Sequence, residues 1–234
     1  MTRSKTAVFV AIDTPDLERA GTLAAQLAGL VGGVKLGLEF FSTHGPQGIE
    51  AIARHGHPLF LDLKFHDIPN TVAGAVRAVL RLRPSILTVH ASGGEAMLSA
   101  AAEAAAEADT ERPRVVGVTV LTSLDGGDLA AVGQEADPAA QAGRLALLAA
   151  KSGLDGVVCS PHEAAALRAH LGETALLVVP GVRPDWATAQ DQKRIMTPRQ
   201  AADAGADVLV IGRPITGADD PAEAARRIGD ELAG

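Results

Sequence analysis

Eight short apolar, β-branched runs recur along the chain, each followed by an Ala-rich segment of helical period. The runs are AVFVAID (7–13), GVKLGL (33–38), PLFLDLKF (58–65), SILTVHA (85–91), RVVGVTVLT (114–122), GVVCS (156–160), LLVVPGV (176–182) and DVLVIGR (207–213). Continuous apolar strands alternating with helices imply parallel strands covered by helices. Eight such units in 234 residues predict a closed (β/α)8 TIM barrel forming one domain over residues 1–234. An open doubly wound sheet is the rival, but a dinucleotide-binding version would carry GxGxxG after its first strand. This chain has AIDTPDLERA there. No linker or charge block marks a domain boundary, and the irregular SLDGGDLAAVGQEADP after the fifth run reads as a mobile loop or short-helix excursion.

Bulk charge and composition narrow the partners. A formal net charge of -7 and 3% aromatic residues argue against broad nucleic-acid binding. No run approaches about 18 uninterrupted apolar residues, so no membrane span is expected. The one cysteine, Cys159, cannot form an internal disulfide, and MTRSKTAVFVAIDTP lacks the features of a signal peptide. A cytoplasmic location is the default expectation.

In a barrel of this kind reactive groups sit at the C-terminal ends of strands. Asp13, Lys35, Asp62, Lys64, His90, Thr122, Ser123, Arg183 and Arg213 all fall late in, or just after, their strands. Asp62 and Lys64 are two apart in an extended segment, so both leave on the interior face while Leu61, Leu63 and Phe65 take the other. Isolated buried charges are costly, so a row of Lys35, Asp62 and Lys64 alternating in sign is expected, each group supporting its neighbour. A purely structural salt-bridge network is the alternative. Asp67 lies past the strand in HDIPN, where Pro69 favours a loop and Asn70 or Thr71 suits a helix N-cap.

PGVRPDW (180–186), DQKRIMTP (191–198) and VIGRPIT (210–216) form a second cluster at the loops after strands 7 and 8, the usual phosphate site of such barrels. The Gly212 amide suits close approach of an anion, Arg183 and Arg213 add forked donors, and Gln192 adds a neutral one. Solvated surface arginines are the alternative. His44, His55, His57, His162 and His170 sit in loop or helix-surface contexts without metal-ligand spacing, so no metal site is expected. His66 and His90 are read as structural, Cys159 as a small hydrophobe, and Trp186 as a cover for its loop.

DLKFHDIPNT (62–71), AID (11–13), VKLG (34–37), TVLTS (119–123), PGVRP (180–184), DQKR (191–194) and VIGRPIT (210–216) together resemble the orotidine 5'-phosphate decarboxylase family, in its order and spacing and over almost the whole chain. DxKxxD alone is shared with related barrels such as 3-keto-L-gulonate 6-phosphate decarboxylase; the full set is far more specific. The resemblance implies a homodimeric barrel that converts orotidine 5'-phosphate to UMP and CO2 without metal or organic cofactor. It implies that Lys35, Asp62 and Lys64 act with Asp67 of the other subunit, and that Ile68 and Thr71 reach across with it. Asp13 and Lys35 would hold ribose hydroxyls, and Thr122 and Ser123 the pyrimidine. Pro180, Arg183, Gln192, Gly212 and Arg213 would serve the substrate's phosphate end or the loop closing over it. None of these positions departs from the family's pattern. The rivals are a metal-dependent barrel decarboxylase or epimerase acting on a sugar phosphate, and a noncatalytic nucleotide-binding module.

Overall fold

The computed structural model describes residues 6–187 and 196–234. Its eight strands are β1 (Ala7–Ala11), β2 (Gly33–Gly37), β3 (Leu59–Phe65), β4 (Ile86–His90), β5 (Arg114–Val118), β6 (Gly156–Val158), β7 (Leu176–Pro180) and β8 (Val208–Ile211). They pair in parallel in chain order and close into a barrel, β8 returning to β1. Closure leaves no strand edge unpaired. The outer layer consists of α1 (Leu17–Gln26), α2 (Leu38–Ala53), α3 (Pro69–Leu80), α4 (Glu95–Ala106), α5 (Gly126–Ala131), α6 (Pro138–Lys151), α7 (Ala164–Leu171), α8 (Pro198–Asp203), α9 (Arg213–Thr216) and α10 (Pro221–Ala233).

The pleat sorts the strand residues into two cores. Outward residues such as Val10, Leu36, Leu61 and Leu87 pack under the helices. Inward residues, among them Phe9, Phe60, Ile86, Val116 and Val178, fill the barrel. Phe9 and Phe60 meet edge to face with ring centroids 6.1 Å apart. Gly33 lies level with Phe9, and a Cβ there would come within 2.3 Å of the ring. The missing side chain lets the aromatic pair fill the space beneath Lys35, which points inward two residues further along β2.

The N-terminal face is a polar clamp. Arg168, buried on α7, donates to the carbonyls of Gly172, Ala175 and Gly205 at 2.7, 2.8 and 2.9 Å and pairs with Asp207. Asp207, just before β8, also accepts the Leu177 N–H of β7 at 2.8 Å. Asp155, just before β6, accepts the Val115 N–H of β5 at 2.8 Å and pairs with Arg112. In both places a carboxylate at a strand entry fixes the neighbouring strand, leaving the opposite face free for chemistry.

The strands stop earlier than the apolar runs imply. β1 ends at Ala11, β5 at Val118, β7 at Pro180 and β8 at Ile211, so Asp13, Thr122, Ser123 and Arg183 stand on loops beyond them and Arg213 opens α9. The excursion after β5 contains α5, closed by a capping box between Asp125 and Asp128 and anchored by buried Leu129. Asn70 and Thr71 are not N-caps: α3 begins at Pro69 with Ile68 in the cap position, because proline at the first helical position needs no N–H there. His57, expected on the surface, is buried with Nε2 2.7 Å from the Ala24 carbonyl, where it ties the turn before β3 to α1. Among the described residues no helix is long and apolar enough to cross a membrane.

Candidate active site

Strands β2 and β3 lie side by side with Lys35 level with Phe60 and Gly37 with Asp62. This register brings the inward side chains into one charged row. Lys35 Nζ is 3.2 Å from Asp13 Oδ1 and 3.4 Å from Asp62 Oδ2, and Lys64 Nζ is 2.8 Å from the same Asp62 oxygen. The row therefore has four members, Asp13, Lys35, Asp62 and Lys64, with charges that cancel. Burial by itself would raise the Asp62 carboxyl pKa. The fields of Lys35 and Lys64, with hydrogen bonds from Lys64 and Thr88, outweigh burial and hold it below its ordinary value. Asp62 is thus an anion at neutral pH.

Lys64 reaches the row through an unusual backbone. Its φ is +48°, in the left-handed region that side-chain-bearing residues seldom adopt. Leu61 is level with Leu87 and Phe65 with Val89, so β3 advances four residues against two of β4 across this irregularity. Leu61 and Leu63 remain in the outer core with Phe65 packed against it, while Asp62 and Lys64 line the cavity. The alternation anticipated from the sequence survives, but the strand distorts to deliver it. Thr88 of β4, absent from the sequence-based site, sits at the centre of this distortion. It is fully buried, its hydroxyl donates to Asp62 Oδ1 at 3.0 Å, and it accepts the Lys64 N–H at 2.9 Å. The signal was available: Thr88 shares the inward phase of Ile86, on the strand beside Asp62.

The row opens into a cavity of about 380 Å³ at the C-terminal end of the barrel. Its floor is apolar, with Phe60, Val118, Val158, Val178 and Val210, a surface suited to a flat ring. Its far rim carries Pro180, Arg183, Gly212 and Arg213, and Thr122 lies between the two sides. Gly181, with φ +78°, turns the chain out of β7 so that Arg183 follows at the rim. Among the described residues neither Arg183 nor Arg213 forms an ion pair, whereas every lysine of the charged row does. Gly212 caps the short helix α9, whose first turn begins at the rim.

Several expected residues lie elsewhere. Asp67, Ile68 and Thr71 are exposed on the protomer surface outside the cavity; Ile68 is 68% exposed, and among the described residues Asp67 Oδ1 accepts only the adjacent Ile68 N–H, at 2.6 Å. Ser123 is an exposed turn residue that does not line the cavity, while its neighbours Leu121 and Thr122 do. Gln192 and the rest of DQKR fall outside the described residues. His66 and His90 meet at a tilt of 42° beside the row, with ring centroids 5.5 Å apart. Burial, then the positive fields of His66 and Lys64, depress the His90 pKa. Cys159 lines the cavity but is buried, and burial together with Glu163 pushes its thiol pKa far up, which keeps it a thiol. The Trp186 ring packs against the core under Arg227, 4.3 Å from its centroid. Among the described residues no group of three or more His, Cys, Asp and Glu is placed to hold a metal ion.

Comparison with known proteins gives a consistent result. A protein from Rhodospirillum rubrum named orotidine 5'-phosphate decarboxylase is 59% identical over 232 residues, covering 97% of this chain and 94% of the relative. One of the same name from Paramagnetospirillum magneticum is 56% identical over 229 residues, covering 96% and 97% of the two chains. The crystal structure of orotidine 5'-phosphate decarboxylase from Lactobacillus acidophilus superposes with a TM-score of 0.88 at 35% identity, covering 98% of this chain and all of the other. The family profile described as "Orotidine 5'-phosphate decarboxylase / HUMPS family" matches residues 6–228, and the chain belongs to that family.

Proposed function

We propose that the protein decarboxylates orotidine 5'-phosphate to UMP, the closing step of UMP synthesis, using no metal or organic cofactor. One observation carries the reading: a carboxylate held between two ammonium groups at an apolar cavity whose opposite rim presents two arginines with no ion pair among the described residues. That pairing suits a ligand with a flat ring at one end and a dianion at the other. The names of the close relatives supply the same substrate.

Breaking the bond from C6 to the carboxylate releases CO2 and leaves an electron pair in an sp2 orbital outside the ring π system. No conjugation stabilises it, so a fixed positive charge must. The Lys64 ammonium offers that charge and then its proton, forming the new C6–H bond; the neutral amine regains a proton from solvent. Asp62 holds Lys64 at 2.8 Å and meets the departing carboxylate with like charge. Lys35, held between Asp13 and Asp62, keeps the row neutral and with Asp13 faces the ribose. Arg183 and Arg213 anchor the phosphate, with Gly212 and Pro180 beside them; Gln192, assigned to the same end of the substrate by the resemblance, lies outside the described residues. Thr122, which lines the cavity, serves the pyrimidine, whereas Ser123 stands outside it. Phosphate binding, remote from C6, then contributes to orienting the ring.

The active form in this reading is a homodimer, in which Asp67, Ile68 and Thr71 complete the partner's cavity. Their exposure in the single protomer, and the apolar Ile68 among them, are what such a role requires. The test is loss of pyrimidine absorbance on adding orotidine 5'-phosphate, with and without chelator. Conversion to UMP at the same rate in both arms supports the proposal. Loss of activity in chelator points to a metal-dependent enzyme, and UMP binding without turnover to a binding module.

A further inference from the structure

Among the described residues, Thr88 is the one side chain hydrogen-bonded to both the strained backbone and the counter-ion of the proposed proton donor. Its hydroxyl accepts the Lys64 N–H at 2.9 Å and donates to Asp62 Oδ1 at 3.0 Å, so its single donor and one of its two acceptor sites are used on these two neighbours. It is fully buried, and no solvent replaces those bonds if the hydroxyl is lost. Asp62 reaches Lys64 Nζ through its other oxygen, Oδ2. The backbone and side-chain ends of Lys64 are therefore linked through a closed chain: amide to Thr88, Thr88 to Asp62, Asp62 to ammonium. A φ of +48° at a lysine is not a resting conformation, and something must hold it.

We infer that Thr88 is a positioning residue for the decarboxylation proposed above: it locks the left-handed backbone of Lys64 and orients the Asp62 carboxylate, which together aim the ammonium at the reacting carbon. Thr88 touches no part of the cavity's ligand space, since it does not line the cavity. Its effect is transmitted wholly through Lys64 and Asp62. The inference rests on the proposed reaction for its kinetic consequence, but its geometric content stands apart from it.

The test compares wild type with Thr88→Val, which keeps the shape and deletes the hydroxyl, and Thr88→Ser, which keeps the hydroxyl and deletes the methyl. Turnover of orotidine 5'-phosphate by Thr88→Val falls on the order of 10²-fold, the usual cost of displacing a reacting group by about 1 Å. Affinity for UMP, which depends on the ring floor and the phosphate rim, changes less than about threefold, a split between binding and turnover that a general loss of structure does not give. Thr88→Ser recovers most of the loss. Turnover by Thr88→Val within twofold of wild type overturns the inference, as does a parallel fall in UMP affinity and turnover, or a Ser variant no better than Val. If wild type does not consume orotidine 5'-phosphate, the proposed function fails, and crystal structures of the three proteins then decide the positioning claim. Departure of Lys64 from its left-handed φ with loss of the Asp62 contact in the Val variant alone upholds it; unchanged geometry in that variant overturns it.

Discussion

Asp62→Asn removes the negative charge from the centre of the row while keeping the side chain's shape. At an effective dielectric of about 20, attraction to Lys35 at 3.4 Å is about 5 kcal/mol and to Lys64 at 2.8 Å about 6 kcal/mol. Desolvation of the three groups offsets much of this, and breaking such a buried pair by removing one partner costs about 3–5 kcal/mol. Lys35 keeps Asp13 at 3.2 Å, so Lys64 bears the loss. If that loss appears in the transition state, where the Lys64 charge is needed, each 1.36 kcal/mol is tenfold and turnover falls about 10²- to 10⁴-fold. The assay is the initial rate of absorbance loss at saturating orotidine 5'-phosphate, with urea unfolding at neutral pH alongside. UMP lacks the carboxylate that faces Asp62, so UMP affinity stays close to wild type while affinity for orotidine 5'-phosphate rises relative to it. The acid limb supplies a further check. A carboxyl whose folded pKa lies below the unfolded 3.8 contributes stability that is complete above 3.8 and is lost as pH falls through the lower folded value. The Asn variant lacks that loss. Turnover within tenfold of wild type, with unchanged unfolding free energy, refutes the reasoning.

Arg213→Ala lowers turnover of orotidine 5'-phosphate about 10- to 100-fold, the range expected for charge-assisted bonds to a phosphate, but leaves turnover of the unphosphorylated nucleoside nearly unchanged; equal losses remove Arg213 from the phosphate site. Lys64→Ala and Asp67→Ala proteins, each inactive alone, regain activity when mixed and allowed to exchange subunits, because one of the two mixed sites combines an intact Lys64 with the partner's intact Asp67. No recovery on mixing confines Asp67 to its own protomer. His90, with a folded pKa below its unfolded 6.5, disfavours protonation in the native state, so stability falls as pH drops below 6.5 and levels off once the folded group itself protonates. A His90→Gln variant has a flatter urea midpoint between pH 8 and 5, and identical slopes contradict the assignment.

The barrel is legible in the sequence because eight apolar runs recur with helices between them, and period-two alternation by itself places Asp62 and Lys64 inward. Strand ends were less legible. Apolar residues continue past the last ladder bond, as Val120 and Val182 do, because loops at the mouth also bury side chains. The left-handed Lys64 had no signature at all, since nothing in LDLKF distinguishes a strained lysine from a relaxed one. The inward phase of Thr88 is readable in SILTVHA, but a threonine suits a strand for its branching alone, so the use of its hydroxyl emerges only from its register beside Asp62. The position of Asp67, exposed just before α3, depends in the proposed assembly on a second copy of the chain, which a pattern along one sequence does not describe.

The most direct measurement is the rate at which Lys64→Ala, shown to be folded and still to bind UMP, consumes orotidine 5'-phosphate. Loss of both the positive charge and the proton at C6 predicts a fall of at least about 10⁴-fold. A variant that retains a tenth of wild-type turnover would mean that the carbanion is stabilised and protonated by something other than this ammonium.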